Sequence, residues 1–238
     1  MRNSSKECFT IGVLGGMGTY ATIHLFQQYA ELFVAQKEWD RPRIIIDNRC
    51  TMPSRVRALL YGEKREQLID EMADSLEHLI DAGCNHIILA CNTSHLFLTQ
   101  IYKKVPDLEK YVVHVIHLCV NKIVEDKLEE IYLLGSEGTI ESGIYQDSLA
   151  KEGIKCLCPK EIEYTKLREC IESVKQNKYT ENTKKIFLEL VNRYDACILG
   201  CTELPILFER YKSEVKCKRI YDPLLLGLIN LKEEFDNE

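Results

Sequence analysis

Apolar residues along this chain fall in short runs, separated by longer stretches in which they recur every three or four positions. The runs are FTIGVL (Phe9 to Leu14), RIIID (Arg43 to Asp47), HIILA (His86 to Ala90), YVVHVI (Tyr111 to Ile116), EIYLLG (Glu130 to Gly135), Ile154 to Cys156, and ACILG (Ala196 to Gly200). Each reads as a buried strand. Between them, ATIHLFQQYAELFVAQ carries apolar residues at helical spacing, and Lys64 to Ala82 is an amphipathic helix stopped at Gly83. Alternation of this kind with no long linker predicts an α/β fold with mostly parallel central sheets and helical crossovers, each sheet the middle of three layers.

The pattern also repeats. Residues 11–20 (IGVLGGMGTY) align with residues 131–140 (IYLLGSEGTI), so Leu14, Gly15, Gly18 and Thr19 meet Leu134, Gly135, Gly138 and Thr139. Residues 85–93 (NHIILACNT) align with residues 195–203 (DACILGCTE), so Cys91 meets Cys201. Each half therefore has a strand with a glycine turn, then a later strand ending in a cysteine. Two pseudo-symmetric lobes are expected: 1-113 plus 220-238 as the N-terminal lobe, with a C-terminal helix returning to it, and 114-219 as the second. Ligands in open α/β sheets bind beyond the carboxyl ends of the strands, so both cysteines are expected to face one cleft between the lobes.

Composition narrows the function classes. With 238 residues, 45% of them apolar, the chain can build a core without metal or disulfide staples. A net charge of -6 gives no global basic footprint, so no nucleic-acid partner is expected. No apolar run reaches about 18 residues, so no membrane span is expected. The first ten residues, MRNSSKECFT, lack the apolar segment of an export signal, which predicts a cytoplasmic protein. Eleven cysteines are many for such a compartment, and most read as small buried hydrophobes. Their spacings do not make a metal set. Cys156 and Cys158 are separated by one residue, Cys197 and Cys201 by three, and the His114/His117 pair has no neighbouring carboxylate or thiol.

The turn Gly16-x-Gly18-x-x-Ala21 follows a strand, opens a helix, and has Asp47 at the end of the next strand, which is the dinucleotide-binding fingerprint. The second lobe keeps the glycine frame but loses the close-approach pattern, as Gly135-Ser-Glu-Gly138-Thr139. A glycine turn before a helix also offers backbone N–H groups to a substrate carboxylate, or serves only as a tight turn. An NAD(P)-dependent oxidoreductase stays open as an alternative at this point.

IGVLGGMGTYAT, LACNTSH and LGCTELP, with NRCTMPSR, LLGSEGT and the late YDP, together resemble the cofactor-independent aspartate/glutamate racemase family. The likeness runs in order over nearly the whole chain. It implies two α/β lobes with the active site between them, no pyridoxal phosphate or other cofactor, a small acidic amino acid as substrate, and a homodimer. Thr19 stands where the family often has proline and Ser54 where it often has aspartate, which bears on substrate identity more than on reaction type.

Racemisation removes the α-proton from one face and returns a proton to the other, so two acid/base groups on opposite sides are needed. Cys91 and Cys201 are the candidates, one as thiolate base and the other as thiol acid, exchanging roles with the substrate's hand. Helix-like segments near Ser94 and Glu203 are expected to present their amino ends to these thiols. Each sulfur is expected about 3–3.5 Å from the α-carbon, hence roughly 7 Å from the other. Asn92, Thr93 and Thr202 offer uncharged donors to the substrate carboxylate as charge develops there. The resemblance and the repeat add Met17 and Thr139 at the cleft, Thr139 having helix capping as its plainer role. Arg55 and Lys175 match the family's arginine and lysine and suit a second carboxylate, each having a solvated surface role as its plainer reading. Glu203 is expected to orient Cys201 or its proton, or to sit in a helix's first turn. His95 reads as structural. Other readings that stay open are a hydantoin racemase- or maleate isomerase-like enzyme and a non-catalytic small-ligand binding protein.

Overall fold

The computed structural model describes residues 9–237, so Cys8 and most of the first ten residues read above for an export signal lie outside it. The chain divides into two compact units. The first holds the described residues up to Val115 together with those from Leu224, and the second is Ile116–Pro223.

The first unit alternates β1 (Thr10–Gly15), α1 (Thr19–Leu32), β2 (Arg43–Asn48), α2 (Arg55–Leu60), α3 (Arg65–Asp81), β3 (His86–Leu89) and α4 (Leu98–Lys104). Its sheet is parallel, in the order β2-β1-β3. Every residue of β1 is buried, and since successive side chains point to opposite faces, both faces of the sheet are covered. Gly12 allows this closeness: a Cβ there would lie 3.1 Å from Cys84 Sγ. Helix α3 buries Leu68, Ile69, Met72, Ala73, Leu76 and Leu79 along one stripe. Gly83, at φ +92°, then ends it: the Gly83 N–H donates to Ile80 O at 2.8 Å and the Cys84 N–H to Leu79 O at 3.0 Å.

The second unit runs α5 (Val115–Glu125), which starts one residue before the boundary, β4 (Glu130–Leu134), α6 (Glu137–Glu141), α7 (Ile144–Lys151), β5 (Lys155–Leu157), α8 (Tyr164–Lys175), α9 (Glu181–Val191), β6 (Ala196–Leu199), α10 (Leu204–Tyr211) and β7 (Arg219–Tyr221). Its sheet is again parallel, in the order β5-β4-β6-β7. The same glycine exit recurs after α7, where the Ile154 N–H donates to Leu149 O at 2.9 Å around Gly153, at φ +74°. Helix α11 (Pro223–Asn237) returns to the first unit. There Phe235 packs edge-on against Phe9, ring centroids 5.3 Å apart, and Leu228 and Leu231 are fully buried.

Two strand expectations need correction. Tyr111 to Ile116 is not a strand: Val112 makes one bridge to Ile87, and the chain then enters α5 at Val115. Val112 and Val113 stay half-buried beside β3, the Val113 N–H donating to Ile87 O at 2.9 Å, and only Val115 is a buried helix start, with Gly227 of α11 close against it. Conversely, β7 is a strand that the apolar pattern does not announce, because it holds three residues and begins with an exposed arginine.

Candidate active site

Parallel strands bring their carboxyl ends to one edge of a sheet, and in the first unit that edge carries the glycine turn, the segment after β2 and Cys91. Gly16 has φ +78°, and the space a Cβ would need there is filled by backbone of Arg49 and Cys50. The close approach suggested for a pyrophosphate is thus made by the chain itself. Met17 is buried, and three elements meet on it. The Ser94 hydroxyl donates to Met17 Sδ at 2.8 Å, and Arg55 Nη2 donates to Met17 O at 2.6 Å. Arg55 Nη1 also donates to Pro53 O at 3.1 Å, so this guanidinium is built into the edge.

Cys91 is half-buried and follows β3 in extended conformation. Asn92 and Thr93 behind it are buried. The segment Asn92–Phe97 is a tight 3-10 turn, and α4 begins only at Leu98. The α-helix expected near Ser94 is therefore displaced along the chain, because His95 holds the tighter turn. Its Nδ1 lies 3.1 Å from Cys91 O and 3.2 Å from Asn92 O, with the ring edge-on to His114.

In the second unit the same edge carries Ser136 to Thr139 after β4, Cys158 after β5 and Cys201 after β6. The half-buried Cys201 thiol donates to Glu203 Oε2 at 3.0 Å, and the buried Thr202 hydroxyl donates to the same oxygen at 3.4 Å. Glu203 is buried just before α10, and its Oε1 has no hydrogen bond among the described residues. Lys175 is the last residue of α8, with Nζ 3.2 Å from Glu172 Oε1. Burial works against its charge, but Glu203, Cys201 and Glu172 together raise its pKa above the ordinary lysine value. Lys175 thus belongs to the electrostatic surroundings of Cys201. Thr139 is fully buried in α6; the cap of that helix is Ser136, whose hydroxyl accepts from the Thr139 N–H at 3.3 Å.

The two cysteines share a local frame. Before Cys91, the Ala90 N–H donates to Leu14 O at 2.9 Å; before Cys201, the Gly200 N–H donates to Leu134 O at 2.6 Å. After them, Cys91 O accepts from the Ser94 N–H at 3.3 Å, and Cys201 O from the Leu204 N–H at 2.9 Å. These are the positions that the sequence repeat pairs.

Ser94, Ser136 and Tyr145 were not singled out from the sequence. Tyr145 is fully buried, and burial first, then Cys119, Asp222, Cys156 and Cys201, push its hydroxyl well above the ordinary tyrosine value. A cavity of about 310 Å³ lined by Lys127, Glu130, Tyr132, Tyr194 and Asp195 opens at the amino end of the second sheet, away from Cys201. Among the described residues, no three His, Cys, Asp or Glu side chains gather as metal ligands, and no helix is long and apolar enough to cross a membrane.

Comparison with known proteins gives the family and the fold. The broad specificity amino-acid racemase RacX of Bacillus subtilis is 26% identical over 213 residues, which cover 86% of this chain and 90% of that protein. An aspartate racemase from Picrophilus torridus has the same fold, with a TM-score of 0.83 at 22% identity over 96% of this chain and 94% of that one. A glutamate racemase isoform from Bacillus anthracis matches with a TM-score of 0.66 at 20% identity, over 97% and 83% of the two chains. Residues 14–228 match the family described as Asp/Glu/Hydantoin racemase, which removes the oxidoreductase reading of the glycine turn. The chain belongs to the Asp/Glu/hydantoin racemase family and is an isomerase, an amino-acid racemase.

Proposed function

We propose that this racemase interconverts the enantiomers of aspartate or glutamate without a cofactor, using Cys91 and Cys201 as its two acid/base groups. The observation that carries this reading is the shared frame of the two thiols. Each follows the strand next to the glycine-turn strand, and each is preceded by the same hydrogen bond and followed by the same turn. In the proposed cycle one thiolate takes the α-proton and the other thiol delivers a proton to the opposite face. Glu203 accepts the Cys201 proton when that sulfur must act as base. Asn92, Thr93 and Thr202 donate to the α-carboxylate as it gains charge, and Met17 and Thr139 shape the two edges. Lys175 reads the side-chain carboxylate.

One observation favours a second reading of specificity. Arg55 already spends two of its donors on Met17 O and Pro53 O, which leaves Lys175 as the main reader of a second carboxylate. A racemase with one such cation accepts a wider range of side chains than one with two, in line with the broad specificity named for the Bacillus subtilis relative. A homodimer completes the proposal, supported by Tyr20, Ile23 and Phe26 standing exposed on α1, and the cytoplasm is its proposed compartment.

The test is incubation in D2O with L-aspartate, L-glutamate and L-alanine separately, with no added cofactor. Deuterium at the α-carbon together with loss of optical rotation for the two acids supports the reading. No exchange with either acid sinks the substrate assignment, and equal exchange with alanine selects the broader one.

A further inference from the structure

Cys156 and Cys158 take no part in the proposed racemisation, yet they stand two residues apart at the end of β5, an outer strand of the second sheet, and such positions share one face. Gln146 Nε2, from α7, donates to Cys158 Sγ at 3.5 Å and is itself fixed by a 2.7 Å bond to Ile140 O. Cys158 is thus an acceptor held from a neighbouring helix, and both cysteines are half-buried rather than sealed in the core. The hydrogen bond from Cys156 lowers the Cys158 pKa below the ordinary thiol value, burial opposes this, and Gln146 adds to the lowering. Cys156 is shifted the other way, first by donating that bond and then by burial.

The sealed thiols contrast with this pair. Cys84, Cys119, Cys170 and Cys197 are buried, and burial raises all four above the ordinary thiol value. A half-buried thiol of lowered pKa next to a second thiol is the arrangement of a peroxide-reactive pair, with one sulfur attacking and the other resolving.

We propose that Cys156 and Cys158 are a modification site for hydroperoxides, at which Cys158 is oxidised first and Cys156 then closes an intramolecular disulfide. In the first step Cys158 thiolate attacks one peroxide oxygen, the O–O bond breaks, and the departing alkoxide or hydroxide takes a proton; Cys158 becomes a sulfenic acid. In the second, Cys156 sulfur attacks Cys158 sulfur, the S–O bond breaks, and water leaves with the Cys156 proton. Two thiols and one hydroperoxide thus give one disulfide, one alcohol or water, and one water. Backbone reach permits closure. Residues two apart on a strand are separated by about 6.4–6.8 Å, the upper end of the disulfide range. Cys158 has also left β5 ahead of Pro159, free of ladder bonds. A bond formed at that limit is strained and easily reduced, so the modification is reversible.

The test uses the whole wild-type protein, hydrogen peroxide at one equivalent, alkylation and tryptic digestion. Cleavage after Lys155 and Lys160 isolates both sulfurs in the peptide CLCPK. The expected result is that this peptide loses two hydrogens about tenfold faster than Cys217 is oxidised, and regains its thiols with dithiothreitol. In Cys156→Ser, a sulfenic acid trapped by dimedone should accumulate at Cys158. The proposal is overturned if CLCPK keeps both thiols while other cysteines oxidise, or if Cys158 passes to sulfinic acid with no disulfide. Peptide mass is read independently of racemisation, so this inference and the two-thiol mechanism stand or fall separately.

Discussion

The Cys201 thiol donates its hydrogen to the Glu203 carboxylate at 3.0 Å, and Glu203 holds no hydrogen bond on its other oxygen among the described residues. A buried carboxylate in this position is a ready acceptor for the proton that Cys201 must shed before acting as a base. Glu203→Gln keeps the shape and removes the charge. The expected outcome is a fall in kcat of about 10–100-fold with KM changed less than about twofold. Because the two enantiomers are equal in free energy, kcat/KM must fall equally in both directions. The asymmetry should appear in α-deuterium wash-in, which slows for the hand whose proton Cys201 removes.

Single removal of either thiol separates exchange from inversion. Cys91→Ala and Cys201→Ala should each abolish racemisation, while wash-in of solvent deuterium survives for one hand only, opposite in the two variants. Proton NMR of each enantiomer in D2O reads this directly. Undiminished racemisation in both variants would falsify the paired-thiol mechanism.

Lys175→Gln should raise KM for aspartate about 10–100-fold and leave KM for alanine nearly unchanged, since it removes a charged hydrogen bond that only the acid makes. The Lys175 pKa is raised above the ordinary value of 10.5, so its positive charge persists through the neutral and mildly alkaline range. The binding it supplies is lost only as pH rises through the shifted value. KM profiles for aspartate taken from pH 7 upward should therefore stay flat with respect to this group to beyond that ordinary value.

Arg193 forks onto Glu163 with bonds of 3.0 and 2.6 Å and also donates to the Tyr132 hydroxyl at 3.1 Å. Its hydrogen bonds hold the Glu163 pKa at about 2, below the ordinary 4.5. A depressed carboxylate contributes stability that is complete above the unfolded value and is lost as pH falls through the folded one. Acid unfolding of the wild type should therefore lose an increment on the order of 1–2 kcal/mol between those two values. Glu163→Gln should lack that increment at neutral pH and show a shallower acid slope in urea melts.

Gly16→Ala tests the turn itself. The left-handed φ of +78° and the backbone of Arg49 and Cys50 both oppose a methyl group there. A loss of about 2 kcal/mol or more is expected, with Tm lowered and the Met17–Arg55 contact disturbed. A neutral substitution would show that the loop after β2 yields freely.

Much of the fold was legible because buried parallel strands read as apolar runs and glycines mark their exits. The repeat pairs Cys91 with Cys201, and the two residues have matching local hydrogen bonds in the structure. What stayed hidden depends on distant partners. Val112 to Ile116 has the composition of a strand, yet Val112 makes a single bridge to Ile87 and Val115, close against Gly227 of α11, begins a helix. Arg55 read as either a surface cation or a carboxylate reader, and nothing local announces its bond to Met17, 38 positions away. Thr139 was a reasonable cap from its place after the glycines, yet Ser136 holds that role because it stands one residue before the helix. Gln146 could not be joined to Cys158 from the sequence, since they meet only where α7 packs back on β5.

The return of α11 to the first unit sets an order of assembly. A ribosome delivers Ile116–Pro223 in full before it delivers the helix whose Leu228, Leu231 and Phe235 are buried with the first unit. The second unit is thus the first that can close on its own residues, although it comes later in the chain. Until α11 arrives, Phe9 and Phe33 lack their Phe235 partner. Synthesis therefore passes through a first unit that still lacks its closing helix.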